Sequence, residues 1–305
     1  MKKFSMKAKC PGPLALFIFG LLVLSLLSAA QAQTGYRYER VDFPNGSQTF
    51  ARGINAHGDI IGNYTDADGV GHSFLLHNKV YSNIDYPGDG GISALAINAH
   101  GDIVGGLSDA DGDHGFLLRD GKFTKIDFPG ASSTRAFGIN NSGDITGQYS
   151  IGGGNEKSFI LIDGVFRGVH VPQGLNFTRG AEDNGVAIVG DVVLSSDQSL
   201  HGFLKIRNAV QLIDPPGTVF PCSRARGINE RGDIVGAFSI VNTLDECNSF
   251  PPAIGFVFHA GTFSIVAPPG SPDTFAFGMN DDGVVVGVTN KNGTIHGFKA
   301  TPKND

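Results

Sequence analysis

The sequence predicts an all-β protein, a six-bladed β-propeller of four-stranded blades whose last blade is closed by the N-terminal strand. Three observations predict it. A unit of roughly 43 residues recurs six times, each copy holds four short β-prone segments between Gly, Asn, Asp and Pro, and the two ends of the chain carry complementary parts of one unit. No stretch carries a sustained helical period.

The first element lies outside the repeat. Residues 1–32 have a basic start (Lys2, Lys3, Lys7, Lys9), an apolar run from Leu14 to Leu27 and small residues ending at Ala32, the pattern of a signal peptide cut after Ala32. The run is shorter than the roughly 20 residues of a membrane-spanning helix, and no later segment approaches that length. Residues 33–305 are then one propeller domain, secreted to the periplasm or beyond, with no membrane attachment after cleavage. Removing the signal leaves 19 basic against 29 acidic residues, a net charge of −10. That balance excludes nucleic acid and anionic membrane as partners.

Three runs recur in order: Gly-Ile-Asn followed by Gly-Asp-Ile-Val-Gly, then His-Gly-Phe-Leu, then Ile-Asp-x-Pro. The Gly-Ile-Asn turns begin at Gly53, with copies at Ile97, Gly138, the degenerate Gly180-Ala181-Glu182, Gly227 and Gly278, spaced by 43, 42, 42, 47 and 51 residues. Gly62, Gly105, Gly147, Gly190, Gly236 and Gly287 occupy one position of the unit, and Phe74, Phe116, Phe159, Phe203, Phe256 and Phe298 another. In the second copy the four segments, A to D, are Ser93 to Asn98, Ile103 to Leu107, Gly115 to Arg119 and Phe123 to Phe128. The chain opens on a lone D segment, Tyr38 to Pro44, and stops after a C segment at Phe298. A ring uses such ends to pair strands that would otherwise be exposed edges.

Turn chemistry accounts for Asn55-Ala56-His57-Gly58-Asp59 and its copies, which join A to B. One face of segment A is small (Ala51 and Gly53, Ala94 and Ala96, and their copies), which makes A the innermost strand, where sheets crowd the axis. The recurrent Phe should fill the space between blades. His72, His114, His201 and His296 precede it by two residues, but Lys157 and Ile254 hold the same position, so a structural histidine is expected rather than a metal ring. With their flanking turns, His72-Ser73-Phe74-Leu75-Leu76, His114-Gly115-Phe116-Leu117-Leu118 and His201-Gly202-Phe203-Leu204 resemble the HAF repeat of extracellular bacterial proteins. The resemblance spans nearly all of the mature chain, with Gly or Ser where Ala is usual. It implies secretion and repetition and no particular activity.

Candidate sites lie where the repeat is broken. The D-to-A and B-to-C connections share one face and vary in length, so that face is the expected functional one. Cys222 and Cys247 fall there, and in an exported protein they form one disulfide that closes 25 residues and contributes about 3 kcal/mol. Of eleven arginines, Arg52, Arg135, Arg179, Arg224 and Arg226 fall in A segments, at alternating positions near the mouth of the channel. Such a set binds a carboxylate or another anion through forked hydrogen bonds, or else pairs internally with Asp42, Asp85, Asp127 and Asp214. Asp66 and Asp68, with Asp109, Asp111 and Asp113, open B-to-C loops as calcium loops do. No later bidentate acid follows, so turn chemistry is favoured and no cofactor is expected beyond a weak calcium candidate.

No nucleophile elbow, zinc-helix or phosphate-loop motif is present. The sequence leans to a non-catalytic, monomeric binding or surface scaffold for a polymer, glycan or protein. The alternative is a propeller-type carbohydrate-active enzyme, a polysaccharide lyase or glycosidase, which needs paired acids or a His/Tyr/Arg set facing one cavity. Absence of Trp weakens sugar stacking in either case.

Overall fold

The structure is a computed structural model that describes residues 35–152, 156–171, 174–181, 187–218, 220–249, 252–271 and 273–303, without the side chains of 174–181. The expected signal peptide, residues 1–32, lies outside these residues. After β1 (Tyr36–Arg40), the first repeat is β2 (Gln48–Ile54), β3 (Ile60–Thr65), β4 (Gly71–His77) and β5 (Val80–Ile84), and the second is β6 (Gly90–Ile97), β7 (Ile103–Asp109), β8 (Gly112–Arg119) and β9 (Lys122–Ile126). The third is β10 (Ser133–Ile139), β11 (Ile145–Ser150), β12 (Lys157–Ile162) and β13 (Val165–Val169), and the fourth β14 (Gly174–Ala181), β15 (Ala187–Leu194), β16 (Leu200–Ile206) and β17 (Ala209–Ile213). The fifth is β18 (Ser223–Ile228), β19 (Ile234–Phe238), β20 (Ile254–His259) and β21 (Thr262–Val266), and the last is β22 (Asp273–Met279), β23 (Val285–Lys291) and β24 (Thr294–Pro302).

Each repeat is an antiparallel meander in chain order, and one parallel bridge, Ser133 to Asp113, joins the second and third repeats into one sheet. The last three strands take β1 as their fourth, paired from Tyr36 opposite Pro302 to Arg40 opposite Phe298. β1 ends before the expected Pro44. The Val41 amide still donates to the Gly297 carbonyl at 2.9 Å, but that of Phe43 donates to Thr49 Oγ1 at 3.0 Å, which turns the chain toward β2. In the second repeat β7 and β8 run longer than expected because Asp109 pairs with Gly112 across a tight turn. The first strands of the repeats are the inner ones. β2 touches β6, β6 touches β10, and so on through β14, β18 and β22 back to β2.

Register explains why Gly and Phe recur together. Gly62 lies opposite Phe74, Gly105 opposite Phe116, Gly147 opposite Phe159, Gly190 opposite Phe203, Gly236 opposite Phe256 and Gly287 opposite Phe298. The ring lies flat over the glycine. A methyl added at Gly105 would sit 2.8 Å from the Phe116 ring and closer still to the Ser93 carbonyl oxygen. Five of these rings have no exposed surface and Phe298 has 2%. They pack between repeats, as expected: Phe74 with Val286 and Val41, Phe116 with Ile61, and Phe256 with Val189. Loss of one such ring to Ala typically costs about 3–5 kcal/mol.

The Asn turn also serves the frame. Asn98 accepts the amides of His100 and Asp102 through its side-chain oxygen, and its nitrogen donates to Asp102 and to the Asn140 carbonyl of the next repeat at 3.1 Å. Asn229 reaches the Asn280 carbonyl in the same way, and Asn280 reaches that of Asn55, from the last repeat to the first. This belt is more than the turn chemistry expected of these residues. Finally, the all-β reading gains one exception. Helix α1 (Leu244–Asn248) lies in the enlarged loop after β19, started by the Thr243 hydroxyl, which accepts the Glu246 amide, while the Glu246 carboxylate accepts the Asn242 amide. Among the described residues no helix is long and apolar enough to cross a membrane.

Candidate functional site

Every inner strand slips register by one residue halfway along. The shifts fall between Ala51 and Gly53, Ala94 and Ala96, Ala136 and Gly138, Thr178 and Gly180, Ala225 and Gly227, and Ala276 and Gly278. The skipped residues are Arg52, Leu95, Phe137, Arg179, Arg226 and Phe277. A bulged residue leaves the ladder and its side chain is re-aimed. Arg52, Leu95, Phe137, Arg226 and Phe277 line a central cavity of about 90 Å³, whose other wall is Ile54, Ile97, Ile139, Ile228 and Met279. A second hollow of about 80 Å³ continues past those apolar residues to the Asn turns, where Glu230 and Asp281 stand. Across it Asn141 donates to Glu230.

The five arginines part company here. Arg52 stacks on aromatic rings, its guanidinium carbon 4.4 Å from the centre of Phe277 and 5.2 Å from that of Phe50. Burial, and then the charge of Arg226, pull its pKa down to about 10. Its Nε is buried without a hydrogen-bond partner, and among the described residues no acid pairs with it. Arg226 lies 3.4 Å from the buried Asp191 of β15, yet its Nε and Asp191 Oδ1 are also without partners. Arg224 is spent on the wall. It donates to the Cys247 carbonyl at 3.1 Å and lies against both cysteine sulfurs, and burial, then Arg226, lower its pKa. Arg135 is exposed beside a separate hollow of about 110 Å³ that it shares with Gln148, Tyr149 and Glu156. Arg179 occupies its bulge in β14, with its side chain outside the described ones.

The acids expected to neutralise these arginines are engaged elsewhere. Asp42 pairs with Arg40 and His296, Asp127 with His114, and Asp214 with His201 and Ser223, while Asp85 is exposed. The histidine of the His-Gly-Phe run thus meets the aspartate of the Ile-Asp run. A second carboxylate, from the B-to-C loop, approaches the other ring nitrogen: Asp109 for His114 at 3.4 Å and Asp197 for His201 at 3.2 Å. Among the described residues His72 has one carboxylate partner, the loop's Asp66, at 2.9 Å. Burial opposes a charge on His201, but Asp214 and Asp197 outweigh it and raise its pKa.

The proposed calcium residues face cations or their own turns. Asp66 accepts from His72 and from the amides of Val70 and Asp68, which hold its carboxyl below the usual range, His72 contributing most. Lys125 sits 2.8 Å from Asp109, the main cause of that carboxyl's lowered pKa, and 3.5 Å from Asp111. Asp113 accepts from Ser108. Among the described residues no group of three His, Cys, Asp or Glu is placed to hold a metal ion. The Cys222–Cys247 disulfide is present, tying the start of β18 to helix α1.

Sequence reasoning missed Asp191, the bulges and Lys125. A bulge leaves no mark on an alternating pattern such as Thr-Phe-Ala-Arg-Gly-Ile, because the skipped residue reads as one more outward position. Asp191 follows Gly190, where other repeats carry Asn63, Gly106, Gln148, Ala237 and Val288. A lone charge in that series was the available signal.

Scanned against models of protein families, the sequence matches none, and no curated protein matches it. Solved structures do match. The fucose-specific lectin from Aleuria aurantia is similar over 88% of this chain and 99% of its own, at 10% identity and a TM-score of 0.50. TolB from Acinetobacter baumannii is similar over 90% of this chain and 67% of its own, at 14% identity and a TM-score of 0.49. A streptogramin B lyase is similar over 87% and 98%, at 13% identity and a TM-score of 0.45. The lectin likeness shows a propeller-like arrangement of antiparallel sheets and, at that identity, the fold alone.

Proposed function

We propose that this chain is an exported, non-catalytic binding scaffold, a closed six-bladed β-propeller of the HAF-repeat kind that takes an acidic glycan or polymer at the arginine-bearing centre of its ring. The closure is supported by the pairing of β1 with β24, the hydrogen bond from Asn280 to Asn55, and the cyclic contact of the inner strands. A disulfide agrees with an oxidising compartment.

One observation carries the binding reading. The recurrent histidines His114, His201 and His296 are bonded to Asp127, Asp214 and Asp42 inside the repeats, whereas the Arg52 guanidinium faces a cavity with no acid partner among the described residues. Charged groups held ready in a concave site and committed to nothing else are what a binding protein offers. The test is a glycan array run beside a depolymerisation screen on the mature protein. Retention of uronic-acid-bearing glycans without chain cleavage is expected; release of new chain ends would establish the enzyme instead.

A further inference from the structure

We propose that the central cavity is a preformed site for a single small carboxylate, such as the acid group of a uronic acid residue, gripped between Arg52 and Arg226. The inference rests on the binding reading above and adds the chemistry of the ligand. Three independent features of the cavity lead to it.

The first is charge. Arg52, Arg224 and Arg226 bring three positive charges to this part of the ring, and Asp191 alone among the described residues answers them with an ion pair. The arginines repel one another, and burial removes the water that would screen them. An anion between Arg52 and Arg226 removes that repulsion. The second is hydrogen bonding. Among the described residues the guanidinium of Arg52, which lines the cavity, has no hydrogen-bond partner, and that of Arg226 has only Asp191. A carboxylate offers acceptors to both guanidinium groups at once.

The third is size and lining. A cavity needs at least roughly 10–15 Å³ to hold one water, so 90 Å³ has room for several. That is the space of a carboxylate with one or two hydroxylated carbons, too little for a whole chain. Ile54, Ile97, Ile139, Ile228 and Met279 close one side of it, and their low polarity strengthens any ion pair formed there. The Arg52 guanidinium lies 4.4 Å from the centre of the Phe277 ring, a contact that helps to fix its position. The mature net charge of −10 works against anion capture at long range, so the site selects by contact and not by steering.

The experiment is calorimetric titration of the mature chain with sodium D-glucuronate, sodium acetate and uncharged D-glucose at constant ionic strength, with the melting temperature followed in parallel. Saturable one-to-one binding of both carboxylates, no binding of glucose, and at least tenfold weaker binding by Arg52→Met are expected. Met keeps an unbranched apolar side chain and removes the charge, together with the guanidinium that lies over Phe277. Should that variant not fold, Arg226→Lys keeps a charge for Asp191 and loses the fork, and the same tenfold loss is expected. Equal response to glucose and glucuronate, a shift that grows with any salt without saturating, or unchanged affinity in a folded variant would overturn the site. Glycan retention without glucuronate saturation overturns the carboxylate site and leaves the scaffold reading intact. Saturation accompanied by depolymerisation does the reverse.

Discussion

Replacing both Cys222 and Cys247 by Ala tests how much of the fifth repeat depends on its cross-link. The bridge closes a loop of 25 residues, and chain-entropy arithmetic for that length gives about 3.5 kcal/mol at 25 °C. Both cysteines are buried, at 1% and 0% exposure, with Leu200 and Val241, so Ala fits the site better than Ser and leaves only a small void. In a domain of this size each kcal/mol moves the melting temperature by roughly 2–4 °C, so the double variant should melt about 7–14 °C lower. Thermal unfolding by circular dichroism, with and without reductant, measures it. The wild type should fall to the variant's value when reduced, and the variant should not respond. A difference below about 2 °C, or two titratable thiols in the unreduced mature protein, refutes the reasoning.

Gly105→Ala should cost about 3 kcal/mol or prevent accumulation, because its methyl meets the Phe116 ring and the Ser93 carbonyl, whereas Gly91→Ala, with open space around it, should cost under about 1 kcal/mol; denaturant titration separates them. His201 has a raised pKa in the fold, so its contribution to stability is complete below the unfolded value of about 6.5 and is lost as the pH rises through the folded value. The melting temperature should therefore fall across that window less steeply in His201→Gln than in wild type, and parallel curves would contradict the clamp. Deleting residues 36–44 should unfold or aggregate the protein, and a stable monomer in size-exclusion chromatography would argue for an open array. Calcium and then chelator should leave the melting temperature unchanged, since Asp66 is bonded to His72 and Asp109 to Lys125; a saturable rise would reinstate a metal at those loops.

Much of the frame was legible because the repeat writes each contact several times. Gly62 and Phe74 stand in the same relation as Gly105 and Phe116, and a pair that recurs at fixed spacing marks a register even before the strands are seen. His114 and Asp127 belong to two motifs that the sequence shows separately, and only the pairing of β8 with β9 brings them to 2.7 Å. The site was less legible because it depends on single residues. Five arginines shared a face in the alternating pattern, but the bulge put Arg52 and Arg226 on the cavity while the disulfide drew Arg224 into the wall. The acid that answers Arg226 came from a neighbouring strand, at a position no repeat marks as charged. Helix α1 is too short for a helical period to show, although Thr243 and Glu246 already spelled its cap.

The slipped register at the middle of each inner strand divides the labour of the chain. Residues that hydrogen-bond across the ladder must suit both partners, and those under the Phe rings must be small. The skipped residue answers to neither requirement, which is why Arg, Leu and Phe all occur there. Positions 52, 95, 137, 179, 226 and 277 are therefore six settings that can be changed one at a time while the frame stands. A nearly regular frame in this way carries unlike residues at its skipped positions, and these can be exchanged without rebuilding the sheets.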